Sequence, residues 1–109
     1  MDKAAAIKLA IKYLNFIKNK YDIRDAYLFG SFAKGTNQDD SDVDIAIVLN
    51  TTGDIIDAQI ELMKLRRKID LRIEPHPFYY QDFNRNDPVV NEIMNYGINI
   101  QQGQSSLSK

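Results

Sequence analysis

Cysteine is absent from this sequence. That excludes disulfides, thiolate zinc sites and a cysteine nucleophile together, and it suits a reducing cytoplasm, the expected location. Histidine occurs once, as His76, so a histidine-rich metal site is excluded as well. No charge of one sign dominates: 14 basic residues face 15 acidic ones, for a net charge of −1. A generic duplex-DNA binder carries a clear excess of Lys and Arg, so direct nucleic-acid binding is not expected. No apolar run approaches the roughly 20 residues of a membrane span. The opening Met1-Asp2-Lys3-Ala4 lacks the basic-then-apolar-then-small pattern of a secretory signal. Any metal would have to be a hard cation held by carboxylates: Mg²⁺, Mn²⁺ or Ca²⁺.

What is present suits one compact domain. The 109 residues are 44% hydrophobic and 27% charged, neither a disordered tail nor a fibrous repeat. Chains of this size bury about 65% of their unfolded surface, enough for one core. Ile7, Ile11, Leu14, Ile17 and Tyr21 recur at three- and four-residue steps and predict an amphipathic helix. Ala26 to Phe29 reads as a strand ending at Gly30. Asp42 to Leu49 alternates as a second strand, with Val43, Ile45, Ile47 and Leu49 on one face. Asp54 can cap a helix with Ile56, Ile60, Met63 and Arg67 on its main stripe, widened by Leu62, Leu65 and Ile69. A third strand is predicted from Ile69 to Glu74, stopped by Pro75-His76-Pro77. Pro88 opens a last helix that Gly97 closes, and Ile98 and Ile100 fit an edge strand. The expected fold is a small α/β (α+β) sandwich with a mixed sheet, occupying residues 1–101, followed by a frayed Gln- and Ser-rich tail over residues 102–109.

Chemistry concentrates in Gly30-Ser31-Phe32-Ala33-Lys34-Gly35 and Ser41-Asp42-Val43-Asp44. Asp42 and Asp44 are two apart on a strand, so both carboxylates project from one face, about 6–7 Å apart. Carboxylates that close repel one another unless a divalent cation lies between them. Gly30 at a strand end permits close backbone approach. Ser31 at a helix start offers a hydroxyl beside free N–H groups, an arrangement suited to phosphate oxygens. Antiparallel pairing of the first two strands would bring Ser31 to the same space as Asp42 and Asp44. A crossover to a parallel third strand would then set Asp70 beside the pair. Glu74 would lie about 13 Å further along that strand, so one cluster cannot use both, and Asp70 is preferred.

Gly30-Ser31, ten intervening residues and then Asp42-Val43-Asp44 resembles the signature of the DNA polymerase β-like nucleotidyltransferase superfamily. More narrowly, the chain resembles the minimal nucleotidyltransferases that act as antitoxins to HEPN-domain ribonuclease toxins. The likeness runs from about Tyr27 to Glu74. It implies a polymerase β-like fold and a nucleotide-binding Gly30-Ser31 pair. It also implies catalytic, metal-binding roles for Asp42, Asp44 and a third acid on a later strand, here Asp70. The implied reaction moves a nucleoside monophosphate, AMP from ATP, to a hydroxyl, with two Mg²⁺ ions (or Mn²⁺) about 3.5–4 Å apart flanking an in-line displacement. In the resembling antitoxins the acceptor is a tyrosine of the HEPN partner. A chain this short leaves no room for a substrate domain, which favours an acceptor on another chain. The competing expectation is a binding subunit, catalytically weak or inactive, that neutralises a HEPN-type partner by covering it.

Other residues have plainer readings beside functional ones. Lys34 could reach a phosphate or simply be solvated. Lys64, Arg66, Arg67 and Lys68 fit a solvated helix face. Phe78, Tyr79, Tyr80 and Phe83 fit either core cover or a partner surface. His76, between prolines, is expected to be structural.

Overall fold

The computed structural model describes residues 1–51 and 53–101; the expected frayed tail, 102–109, lies outside the described residues. Eight elements follow in order: α1 (Lys3–Ile17), β1 (Ile23–Phe29), α2 (Ser31–Lys34), β2 (Val43–Leu49), α3 (Ile55–Leu65), β3 (Ile73–Tyr79), α4 (Pro88–Tyr96) and β4 (Ile98–Asn99). They form a mixed sheet of order β3-β2-β1-β4. β1 is antiparallel to both β2 and β4, and β2 is parallel to β3. The α+β class, the strand directions and the succession of long elements agree with the sequence pattern. The helix start expected at Ser31 is the single turn of α2.

Strand alternation gives the sheet two unlike faces. Leu28, Val43, Ile45, Ile47, Leu49 and Ile73 form one buried core with residues of α1 and Leu62 of α3. On the other face Phe29 and Ala46 pack with Ile93 of α4, flanked by Tyr27, Phe78 and Phe83. Side-chain caps start three helices: Asp2 accepts from Ala5 N–H, Asp54 from Ile56 N–H and Asp87 from Val89 N–H. Gly97 ends α4 where a Cβ would lie 2.4 Å from Ile93 O, a space no other residue fits.

Three local expectations are corrected. First, α1 buries Ala6, Ala10, Tyr13, Leu14 and Ile17, while Ile7 and Ile11 sit at the margin of the core. Two alanines let the helix come close to the sheet, so the buried stripe is rotated from the one the isoleucines mark. Second, α3 faces inward with Ala58, Leu62 and Leu65, leaving Ile56 65% and Ile60 48% exposed. The buried Tyr13 hydroxyl, which donates to Leu62 O at 2.7 Å, ties α3 to α1 in that orientation.

The third correction decides the site. β3 does not run from Ile69 to Glu74; it begins at Ile73 and passes through both prolines to Tyr79. β3 is an edge strand, and its alternation explains the tolerance. Val43 N–H donates to Arg72 O, so the even-numbered peptide groups face β2. Odd-numbered ones face outward: Ile73 O accepts from Arg66 and Pro75 O from Gln59. Pro75 and Pro77 therefore lack their N–H groups only where no ladder bond is required.

Candidate active site

β1 ends opposite the start of β2, with Phe29 paired to Asp44, so the turn at Gly30-Ser31 follows beside the aspartates. Gly30 has φ 76° and ψ −151°, a conformation essentially reserved for glycine. A Cβ there would stand 2.3 Å from Asp44 Oδ2. The missing side chain is thus the space that the Asp44 carboxylate occupies. Ser31 opens α2, whose first N–H groups have no acceptor within the helix. Gly35, at φ 77°, closes that turn. Asp42 is exposed immediately before β2, two positions from Asp44 and by alternation on the same side. Gly30, Ser31, Asp42 and Asp44 are therefore brought together at one end of the sheet.

Asp70 does not join Asp44 on the sheet. It lies in the turn before β3, where Arg72 binds it on both oxygens: Oδ1 accepts from the Arg72 N–H at 2.8 Å and Nε at 3.0 Å, Oδ2 from Nη2 at 2.7 Å. The Arg72 guanidinium holds the Asp70 carboxyl below the usual carboxylate range. The residue that β3 sets directly across from Asp44 is Glu74. Its Oε2 accepts from Arg66 Nη1 at 3.2 Å, and about one third of the side chain is exposed. Arg66 is therefore folded inward against β3, and only the rest of the basic run is a solvated face.

His76, one register position beyond Glu74 on that face, is the other residue whose place the sequence pattern did not show. Its Nε2 lies 3.1 Å from Asp44 Oδ1, and its ring meets Phe29 edge-on at 4.9 Å. Both residues follow from period-two alternation through the prolines: Glu74, His76 and Phe78 on one face, Ile73, Pro75, Pro77 and Tyr79 on the other. Lys34 is engaged by α4, with Nζ 3.0 Å from Glu92 Oε1 and 5.2 Å from the Tyr96 ring centre. The aromatic segment does not form one surface. Phe78 and Phe83 pack edge-on in the smaller core, Tyr79 bonds Gly53 O, and Tyr80 is exposed beneath Arg24.

Asp42 and Asp44 offer the hard oxygen donors that a divalent cation takes, one Asp44 oxygen being seated over a glycine. Among the described residues no three acidic or histidine side chains form a ready-made metal cage.

The sequence profile of the family described as Polymerase beta, Nucleotidyltransferase matches residues 12–103. The chain belongs to that family. Nucleotidyltransferases of this fold generally use divalent metals. No curated protein matches the chain. Among solved structures, a toxin–antitoxin with AMP-PNP is 27% identical with a TM-score of 0.61, covering 86% of this chain and 71% of that one. A mutant of the MntA–HpeT toxin–antitoxin is 28% identical with a TM-score of 0.56, covering 82% and 66%. A chain in the complex of an AMPylated Shewanella oneidensis HEPN toxin with an MNT antitoxin shares the fold, at 23% identity and a TM-score of 0.56 over 94% of this chain and 77% of that one. Among the described residues no helix is long and apolar enough to cross a membrane.

Proposed function

We propose that this nucleotidyltransferase-family chain transfers AMP from ATP to a hydroxyl of a HEPN-type partner protein and acts as its antitoxin. The observation that carries the reading is the contact between Gly30 and Asp44. A strained glycine is kept where its missing Cβ makes room for a carboxylate, which in turn faces the Gly-Ser turn. A purely structural turn has no need of that approach.

The residues divide the work. Gly30 and Ser31 bind and orient the phosphates through backbone N–H groups and the serine hydroxyl. Asp42 and Asp44 hold the divalent ion that accompanies the nucleotide, and Glu74 completes the acidic wall from β3. When bound, such ions neutralise charge on the phosphates and make an acceptor hydroxyl easier to deprotonate. Glu74, the acid that β3 sets across from Asp44, would take that proton. Lys34 reaches phosphate by exchanging its bond to Glu92. The nucleotide and the acceptor class are supported by two neighbours: one toxin–antitoxin structure contains AMP-PNP, and the Shewanella complex, alike in fold, contains an AMPylated HEPN toxin.

The test is incubation of the full chain with labelled ATP, Mg²⁺ and a HEPN protein, beside calorimetry with AMP-PNP. Transfer of label to the partner, lost in Asp42→Asn and Asp44→Asn, is the expected result. Stable binding of the HEPN protein without transfer would replace this reading with the covering subunit. Equal AMP-PNP affinity with Mg²⁺ and with EDTA would overturn the metal-dependent site.

A further inference from the structure

We propose that His76 is a positioning residue that fixes the Asp44 carboxylate for its ion, an inference that rests on the metal-dependent reading of the site. A carboxylate can only accept, so the 3.1 Å contact requires His76 Nε2 to carry the proton it shares with Asp44 Oδ1. The second oxygen, Oδ2, occupies the space over Gly30 where a Cβ would come within 2.3 Å. One oxygen is thus held by the imidazole, and the other is left facing the Gly-Ser turn.

The imidazole is itself held. Phe29 packs edge-on against it, with 67° between the rings, and Phe29 stands opposite Asp44 in the antiparallel pair. His76 stands opposite Ala46, whose small side chain leaves room for the ring to lean toward Asp44. Pro75 and Pro77 restrict the backbone on both sides of His76. Phenylalanine packing, a small neighbour and paired prolines converge on one outcome, an imidazole that donates to a carboxylate on the face of the proposed site. Groups that orient metal-binding side chains in this way usually contribute 10–100-fold to metal affinity.

The experiment measures how far Mg²⁺ raises AMP-PNP affinity, by calorimetry on the full chain in Mg²⁺ and in EDTA. His76→Ala should lose about tenfold of that Mg²⁺-supported gain while its affinity in EDTA stays at the wild-type value. His76→Gln, whose amide can still donate, should recover most of the loss. Asp44→Asn should lose the gain entirely. Wild-type Mg²⁺ dependence in His76→Ala, with Asp44→Asn impaired, would overturn the positioning role and leave the metal site standing. Wild-type dependence in Asp44→Asn would bring down the site reading itself. Equal impairment in the Ala and Gln variants would assign the effect to ring packing instead and overturn the inference. Long-range proton–nitrogen spectra of the wild-type chain give a check free of any substitution: the lone imidazole must show a protonated Nε2, and a proton on Nδ1 alone refutes the contact.

Discussion

Gly30→Ala is the sharpest perturbation of the site that leaves every charged residue in place. Two costs add. At φ 76° and ψ −151° a residue with a Cβ is strained by about 1–3 kcal/mol. The new methyl would also lie 2.3 Å from Asp44 Oδ2 and 3.2 Å from its Cγ, so the carboxylate must swing away. Swinging breaks its bond to His76, a net loss of about 0.5–1.5 kcal/mol. Alanine restricts the unfolded chain more than glycine does, which returns about 0.4–1 kcal/mol. The balance is a destabilisation of about 2–3 kcal/mol, or a fall of ~10 °C in Tm for a domain of this size.

Gly35→Ala is the internal control. Gly35 has nearly the same φ, 77°, but lies in the left-handed helical region with nothing within 4 Å of its would-be Cβ. Its left-handed conformation costs about 1–2 kcal/mol with a Cβ present, which the unfolded-state gain offsets only in part, leaving about 1 kcal/mol of destabilisation. Urea melts of both variants, run beside AMP-PNP calorimetry in Mg²⁺, separate backbone strain from the Asp44 contact. Gly30→Ala should be the less stable by about 1–2 kcal/mol and should lose Mg²⁺-dependent binding under conditions where it is folded; Gly35→Ala should keep that binding. Equal stability of the two variants, or wild-type nucleotide binding by folded Gly30→Ala, refutes the placement of Asp44 against Gly30.

Two further outcomes follow from the register of β3. Glu74→Gln should reduce transfer by ten-fold or more and Asp70→Asn by less than two-fold, measured as initial rates of label incorporation; the reverse ranking would mean that Asp70 supplies the third acid. Asp70→Asn should instead show in the pH dependence of stability. Because Arg72 depresses the Asp70 carboxyl, the pair stabilises the fold above the unfolded value of about 3.9 and loses that contribution as pH falls through the lower, folded value. With Arg72 half-exposed the contribution is small, and melts should separate wild type from Asp70→Asn at pH 6 and merge toward pH 2.

Elements whose signals are local were legible. The cap at Asp54, the helix start at Pro88, the stop at Gly97 and the alternation from Val43 to Leu49 each depend on residues within a few positions. What failed depended on partners. Nothing in Ile56 and Ile60 shows that α3 turns them outward, because that choice is made by Tyr13, which reaches Leu62 O from another helix. Ala6 and Ala10 carry little hydrophobic signal, yet their small size brings α1 against the sheet.

The site divides along the same line. Gly30, Ser31, Asp42 and Asp44 could be read as a group because β1 and β2 are antiparallel neighbours, and the end of one must meet the start of the other. The third acid could not be read that way, since it depends on where β3 starts, and prolines ordinarily argue against a strand. A proline forbids a ladder bond only on the side its nitrogen faces. At an edge strand, prolines at every second position are compatible with full pairing and also block a further strand from adding there. Seen in this way, Pro75 and Pro77 mark β3 as the edge and put Glu74, His76 and Phe78 on the face opposite their own. Moving the strand start from Ile69 to Ile73 is a shift of four residues, which preserves side-chain parity but replaces Asp70 with Glu74 at the position across from Asp44. The same shift carries His76 to the carboxylate, so the identity of the third acid and the role of the lone histidine are a single structural question.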